Sequence, residues 1–143
     1  MSTRSNRRRV RIEFGNCDPA RIVYYPNYVV WIDQSTHHLF ESVGLPIRDL
    51  QDKLGVQVPL VDLSVQFVKP AGWGDEIEIE SHVERWGSKS FDVAHRITNA
   101  ATGDALANGR ETRVCVRIDP AVPKGLTGCP IPEEMRKAFG QQS

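Results

Sequence analysis

The sequence predicts an α+β fold in which one long helix packs on an antiparallel sheet. Residues 9–14 alternate with the two-residue period of a strand, and residues 26–43 follow the 3.6-residue period of a helix. Four further alternating segments fill residues 61–118. Strands with one apolar and one polar face need cover on one side only, and a single long helix can supply it.

The chain begins with a polar, arginine-rich stretch. Residues 1–8 contain no apolar residue after the first methionine, so we expect a disordered basic tail that precedes a single domain at residues 9–143. The first strand follows, because Val10, Ile12 and Phe14 alternate with charged residues.

A long amphipathic helix is predicted over residues 26–43. Pro26 suits the first helical position, where no N–H is needed, and Gly44 and Pro46 mark the end. A short second helix is expected over residues 47–54. One face of the long helix carries Tyr28, Ile32, Ser35, Leu39 and Val43.

Beyond Gly55 the apolar residues recur at every second position. The predicted strands span residues 61–67, 77–83, 91–97 and 106–118, with a hairpin turn at 101–104 and a brief helix near 133–139. Long edge strands of such a sheet are usually paired, so we expect dimerisation that extends the sheet.

Two details of these strands concern polar residues. His95 is in phase with the apolar residues of its strand and is expected to be a core or interface histidine. In the last strand, one face is expected to carry Thr112, Val114, Val116 and Ile118, and the other Arg113 and Arg117.

Composition and charge exclude several functional classes. The 143-residue chain carries 18 Lys+Arg against 18 Asp+Glu, so it lacks the positive excess of general nucleic-acid and membrane-surface binders. No apolar stretch reaches the roughly 18 residues of a membrane span, and no apolar signal core follows the first arginines, so we expect a cytoplasmic protein. The three cysteines are widely spaced and form no CxxC pair, which indicates reduced thiols.

Familiar catalytic and metal-binding motifs do not occur in the sequence. It contains no GxSxG, no GxxxxGK[ST], no GxGxxG and no HExxH. His37 and His38 are adjacent in the predicted helix, so their side chains point about 100° apart and cannot chelate one metal ion. We therefore expect no metal site.

The unusual segment lies at residues 15–28 and reads GNCDPARIVYYPNY. Asp18 sits beside Pro19 shortly before the long helix, and spacing alone favours a turn-forming role over a catalytic one. Cys17 could be a nucleophile, but no histidine is close in sequence to activate it, and a free cysteine commonly packs as a small apolar group.

Residues 12–28 closely resemble the N-terminal motif of the 4-hydroxybenzoyl-CoA thioesterases, members of the hotdog-fold acyl-CoA thioesterase superfamily. The resemblance covers residues 9–118 and implies a curved antiparallel sheet wrapped around one long helix. It also implies hydrolysis of a CoA thioester without a metal or organic cofactor, in a homotetramer built as a dimer of dimers. Its other markers are Trp31, Asp33, Gly44-Leu45-Pro46, Phe67, Trp86 and Lys89-Ser90-Phe91.

The resemblance implies a catalytic pair. The aspartate at the position of Asp18 attacks the thioester carbonyl or activates a water that does so, and the backbone N–H of Tyr25 binds the thioester oxygen. Physical reasoning supports the second part, because Tyr25 precedes the helix, where N–H groups lack intrahelical acceptors and the helix dipole favours negative charge.

The resemblance also suggests substrate-binding residues. Trp31 and Asp33 correspond to positions near the far end of the aryl group, although Asp33 fits a solvated or interface-paired aspartate equally well. Val58 replaces a hydroxyl side chain of the family, and Lys89 matches a basic position expected to meet the phosphates of CoA. Arg21 replaces a common glycine, so a positive φ there would strain the loop, and its side chain could pair with Asp18 or approach the substrate.

Two alternatives stay open at this point. A hotdog thioesterase acting on short aliphatic acyl-CoAs would share much of the aspartate motif. A non-catalytic binding module for acyl-CoA or acyl-carrier protein belongs to a different class, and it would need no carboxylate beside the carbonyl.

Overall fold

The computed structural model describes residues 4–140, and it has the predicted α+β architecture. A five-stranded antiparallel sheet has the order β1-β3-β4-β5-β2, and a two-stranded hairpin of β6 and β7 follows it. The strands are β1 Ser5–Arg11, β2 Leu60–Phe67, β3 Glu76–Trp86, β4 Ser90–Asn99, β5 Ala105–Val114, β6 Val116–Asp119 and β7 Gly125–Gly128. The helices are α1 Pro26–Ser42, α2 Leu50–Leu54 and α3 Glu133–Ala138.

Helix α1 packs along the sheet, and its ends lie within one residue of the prediction. Pro26 occupies the first turn, and Gly44 follows the helix with a φ of 81°. Gly109 on β5 allows a close approach, because a Cβ atom there would lie 2.5 Å from Cδ1 of Ile32. The buried face of α1 carries Tyr28, Trp31, Ile32, Ser35, Thr36, Leu39 and Phe40.

The core consists of two apolar clusters with a polar layer between them. One cluster surrounds Ile32 and the other surrounds Leu39 and Phe40, so they pack on successive parts of α1. The strand register places Ser81 opposite His95 and Val93 opposite Glu111, between the two clusters. Buried polar residues of this layer are Ser35, Thr36, Ser81, His95, Glu111 and Arg113.

The N-terminal prediction was wrong in part, because β1 begins at Ser5 rather than after a disordered stretch of eight residues. Strand pairing satisfies the backbone whatever the side chains are, and Ser5 lies opposite His82 of β3. Ion pairs reinforce the pairing, since Arg7 lies 2.8 Å from Glu80. Residues 1–3 of the predicted tail fall outside the described part of the chain.

The prediction for the last strand was wrong in part, because β5 ends at Val114 and not at residue 118. Arg113 lies on the opposite face from Thr112 and Val114, as predicted, but that face is the buried one, and Glu111 accompanies it, with 5% and 1% of their surface exposed. The two charges neutralise each other at 2.8 Å, which allows a polar pair to enter the core. The alternation breaks after Val114, because Cys115 and Val116 are both buried. Strand β7, which pairs with β6, was missed.

Strands β1 and β2 form the two edges of the sheet. Residues on and beside β2 are apolar and exposed, including Leu60, Val61, Phe67 and Val68. Within residues 4–140, no helix has the length and apolar character needed to cross a bilayer. The expectation of dimerisation through a sheet edge stays a prediction.

Candidate active site

The loop between β1 and α1 is held by one asparagine. Asn16 ends a short 3-10 turn at Phe14–Asn16, and its Oδ1 accepts the backbone N–H of Glu13 at 2.7 Å. Its carbonyl oxygen accepts the N–H of Tyr24 and the side-chain amide of Asn27, each at 2.8 Å. These bonds connect the loop to the first turn of α1.

Asp18 lies half-buried within this loop. Its Oδ1 accepts the N–H of Ala20 at 2.8 Å, and its backbone N–H donates to the carbonyl of Ile22 at 3.0 Å. The other carboxylate oxygen, Oδ2, has no hydrogen-bond partner among residues 4–140. Asp18 therefore forms a turn and still presents an oxygen available for chemistry, so the two roles weighed from the sequence are compatible.

Arg21 retains the conformation that a glycine would favour. Its φ is 68°, in the left-handed region, and its N–H donates to the carbonyl of Asp18 at 2.8 Å. Gly72 lies against it, since a Cβ atom there would be 3.1 Å from the carbonyl oxygen of Arg21. Within residues 4–140, no ion pair joins the guanidinium of Arg21 to Asp18.

Tyr25 immediately precedes α1, and its backbone N–H has no acceptor among the residues that the structure describes. The N–H groups at a helix start carry partial positive charge that favours a developing oxyanion. A helix of 17 residues supplies a full dipole behind this donor. The predicted donor is thus free to bind a substrate oxygen.

Two cavities flank the loop. One, of about 470 Å³, is lined by Asp18, Arg21 and neighbouring residues, together with Phe14 and Trp73. The other, of about 350 Å³, is lined by Tyr25 and by residues of the β2 end, among them Phe67. Asp18 and Tyr25 thus line two different cavities. Both cavities are largely apolar, which is the usual setting for a small-molecule site.

Sequence reasoning missed two aromatic residues beside Asp18. Phe14 was assigned to the first strand, but it lies in the 3-10 turn with 73% of its surface exposed. Trp73 is 65% exposed, and the two rings meet edge to face with centroids 5.7 Å apart. The signal in the sequence was a tryptophan within a turn rich in proline and glycine, where no core position is available.

The structure brings Asp33 and Val58 together through Arg113. Nη2 of Arg113 donates to Oδ1 of Asp33 at 2.9 Å, and Nη1 donates to the carbonyl oxygen of Val58 at 3.0 Å. His37, one helical turn further along α1, places Nε2 3.6 Å from Oδ2 of Asp33. Asp33 is 56% exposed at its side chain, whereas Val58 is buried.

Arg113 is anchored from behind by Glu111. Nη2 of Arg113 also donates to Oε2 of Glu111 at 2.8 Å, while Nε2 of His95 lies 2.8 Å from Oε1. Thr36 donates to the same Oε1 atom, and Ser81 lies 2.7 Å from Nδ1 of His95. Burial by itself raises the pKa of Glu111, but the His95 and Thr36 hydrogen bonds and the Arg113 charge outweigh it and hold the pKa below its ordinary value.

Among residues 4–140, Trp31 and Lys89 make no hydrogen bond or ion pair with Asp33, Val58 or Arg113. Trp31 is buried, with its ring edge to face against Tyr28 at 5.6 Å. Lys89 is exposed at the turn between β3 and β4, and its carbonyl accepts the N–H of Cys115 at 2.7 Å. Within residues 4–140, no hydrogen bond, ion pair or ring contact joins either residue to Asp18. The same range contains no group of three or more side chains positioned to hold a metal ion.

Comparison with known proteins places the chain in a family. The model of the thioesterase-like superfamily matches residues 12–139. The 4-hydroxybenzoyl-CoA thioesterase of Pseudomonas sp. (strain CBS-3) is 37% identical over 95 residues, covering 65% of this chain and 67% of that protein.

Solved structures agree with the sequence comparison. A mutant 4-hydroxybenzoyl CoA thioesterase complexed with 4-hydroxybenzoyl CoA superposes with a TM-score of 0.86 at 32% identity, covering 95% of this chain and 99% of that one. A gentisyl-coenzyme A thioesterase superposes with a TM-score of 0.78 at 33% identity, covering 95% and 100%.

The fold and these comparisons define a hotdog-fold acyl-CoA thioesterase. The chain belongs to the thioesterase-like superfamily. The resemblance inferred from residues 12–28 is therefore confirmed, as is the class of enzyme.

Proposed function

We propose that the protein hydrolyses aromatic acyl-CoA thioesters, such as 4-hydroxybenzoyl-CoA or benzoyl-CoA, to the free acid and CoA. The observation that carries the proposal is the Asp18 carboxylate, with one unpartnered oxygen, in the loop that leads to the free N–H of Tyr25. Aromatic rings line the cavity beside Asp18. The relatives described above at 32% identity or more are named for aromatic hydroxylated acyl groups, which supports an aryl substrate.

The mechanism proposed for Asp18 and the Tyr25 backbone N–H has few steps. The Tyr25 N–H polarises the thioester carbonyl and stabilises the negative charge that develops on its oxygen. Asp18 either attacks the carbonyl carbon to form a mixed anhydride, which water then hydrolyses, or takes a proton from the water that attacks. In both routes the C–S bond breaks and CoA leaves as a thiolate, which needs no strong acid because thiols have a pKa near 8.5.

The remaining site residues are proposed for binding. Asp33 accepts a hydrogen bond from a hydroxyl group at the far end of the aryl ring. Trp31 and Val58 contribute to the apolar wall beside the ring. Lys89 meets a phosphate of CoA. We propose a homotetramer, a dimer of dimers with active sites at subunit interfaces, and the exposed apolar edge at β2 supports pairing of two chains there.

The test is thiol release from a panel of CoA esters. The panel comprises 4-hydroxybenzoyl, 3-hydroxybenzoyl, benzoyl, phenylacetyl, acetyl, butyryl and hexanoyl esters. Aryl esters are expected to lead by about a hundredfold in kcat/KM, or roughly 2.7 kcal/mol of transition-state discrimination. A flat or aliphatic profile would replace the aryl substrate with a short aliphatic one, and no turnover of any ester would favour a binding module.

The role of Asp18 is tested against a matched control. Asp119 forms the same kind of turn, with Oδ1 accepting the N–H of Ala121 at 2.9 Å, in the β6–β7 hairpin. Asp18→Asn is expected to lower kcat by roughly 10²- to 10⁴-fold, whereas Asp119→Asn leaves it unchanged. Equal turnover by the two variants would remove Asp18 from the mechanism.

The phosphate contact has its own kinetic signature. Lys89→Ala should raise KM for CoA esters and leave kcat nearly unchanged, because a phosphate contact far from the carbonyl binds substrate and transition state alike. An unchanged KM would exclude this contact.

A further inference from the structure

We propose that Arg113 is a positioning residue that holds the Asp33 carboxylate for a hydroxyl group on the aromatic acyl substrate. It would thereby set the preference for hydroxylated over unsubstituted aryl thioesters. The inference rests on the proposed function, because it takes the aryl ring to end beside Asp33. The sequence pattern indicated no such role, since it placed Arg113 only on a face of the last strand.

Arg113 joins the surface of the site to the core. Its side chain is 7% exposed, whereas the Asp33 side chain is 56% exposed, so a buried cation meets an exposed carboxylate whose other oxygen lies 3.6 Å from Nε2 of His37. The guanidinium donates to Asp33, to Glu111 and to the Val58 carbonyl at 2.8–3.0 Å. Because the guanidinium is planar, its bonds to Glu111 and Val58 fix the direction of the one donor that reaches Asp33, which a rotatable ammonium would not do.

Glu111 keeps Arg113 in this position. Both of its carboxylate oxygens are used, one by Arg113 and the other by His95 and Thr36. Because every member is buried, none of these groups can exchange its partner for water without a large loss. The orientation of Asp33 is therefore determined by a chain of contacts that runs through the polar layer of the core.

A carboxylate held in this way distinguishes two substrates. Asp33 uses Oδ1 toward Arg113, and a carboxylate has about four lone-pair positions, so it can still accept a phenolic O–H. A site built to accept a hydroxyl discriminates against the analogue that lacks it. If Asp33 were free to rotate, that discrimination would shrink while apolar contacts to the ring stayed the same.

The test compares the ratio of kcat/KM for 4-hydroxybenzoyl-CoA and benzoyl-CoA among variants. Arg113→Lys keeps a positive charge beside Glu111 but loses the planar guanidinium with its two Nη donors. No hydrogen bond is lost at Nε, which has no partner among the described residues. The ratio is expected to fall by about tenfold in Arg113→Lys, as in Asp33→Asn, with no further fall in the double variant. Arg110→Lys, which changes an arginine bonded to Asp92, should leave the ratio unchanged.

The outcomes separate the possibilities. An unchanged ratio in Arg113→Lys, an equal loss with both esters, or additive losses in the double variant would each overturn the positioning role while leaving the aryl thioesterase intact. A wild-type enzyme that hydrolyses aliphatic esters and no aryl ester would overturn the proposed function and this inference with it. Should Arg113→Lys fail to fold, Glu111→Gln is measured by the same ratio, and a retained ratio there overturns the role.

Discussion

Replacing Arg21 by glycine is expected to stabilise the protein. Arg21 has a φ of 68°, a conformation that brings Cβ close to the following carbonyl oxygen in any residue other than glycine. Its side chain is exposed, and within residues 4–140 it makes no hydrogen bond or ion pair that the substitution would remove. The change in stability should therefore report the backbone alone.

The size of the effect follows from two opposing terms. The left-handed conformation costs an L-residue roughly 1–2 kcal/mol, which glycine avoids. Glycine gives the unfolded chain more conformational freedom, which costs about 0.4–1 kcal/mol of stability. The balance is about 0.5–1 kcal/mol in favour of Arg21→Gly, or a rise in Tm of roughly 2–4 °C for a domain of this size.

Thermal unfolding at one fixed protein concentration measures this change. Lys124 provides a matched control, because it is the other non-glycine residue with positive φ among residues 4–140, at 57°, and lies in the β6–β7 hairpin. Lys124→Gly should give a similar rise, whereas Arg21→Ala should give none because it keeps Cβ. If Arg21→Gly unfolds at or below the temperature of Arg21→Ala, the backbone at this position is not strained.

Three further predictions concern a close helix–sheet contact, a paired carboxylate and the cysteines. Gly109→Ala should cost about 1–3 kcal/mol in urea unfolding, because the new Cβ would overlap an isoleucine of α1, and an unchanged midpoint would contradict that packing. Hydrogen bonding from Arg85 is the largest cause holding the pKa of Asp92 well below its ordinary value, so its stabilisation is complete above about pH 4 and is lost as the pH falls further. In Asp92→Asn, the free energy of unfolding should therefore fall less steeply below pH 4 than in the wild type. Parallel plots of unfolding free energy against pH for the two proteins would refute this. Iodoacetamide should label Cys17 before Cys115 in the folded protein, because burial raises the pKa of Cys115 to about 12. Equal rates of labelling at the two cysteines, measured by mass spectrometry, would contradict this.

The helix and most strands could be predicted because their signals are local. Pro26 and Gly44 mark the ends of α1, and alternation along β3 and β4 distinguishes the buried face from the exposed one. β1 was placed too late because strand pairing with β3 needs no apolar side chains at Arg7 or Arg8. Such pairing depends on a partner strand far along the chain, which a local pattern does not contain.

The candidate site likewise combines residues with a local sequence signal and residues whose contacts are distant in the sequence. Asp18 and Tyr25 were predicted from a contiguous motif, and α1 begins at Pro26, where the sequence predicts it. Their catalytic roles stay a prediction. The contact between Arg113 and Asp33 could not be predicted, because it joins residues 80 positions apart. A charged residue in an alternating strand favours the solvent face, and only the presence of Glu111 as a buried counter-charge reverses that preference.

The carbonyl oxygen of Asn16 has a consequence for how accurately the site is maintained. It accepts one bond from Tyr24, just before the backbone donor, and one from Asn27 in the first turn of α1. Asp18 follows Asn16 by two residues, so the Asp18 carboxylate and the Tyr25 backbone N–H are both positioned by the bonds of Asn16. Because these bonds connect the loop to the helix start, we expect the two groups to move together when α1 shifts against the sheet. The alignment of the proposed pair then depends on this loop, and we expect a cavity opened elsewhere in the core to lower stability with little effect on turnover.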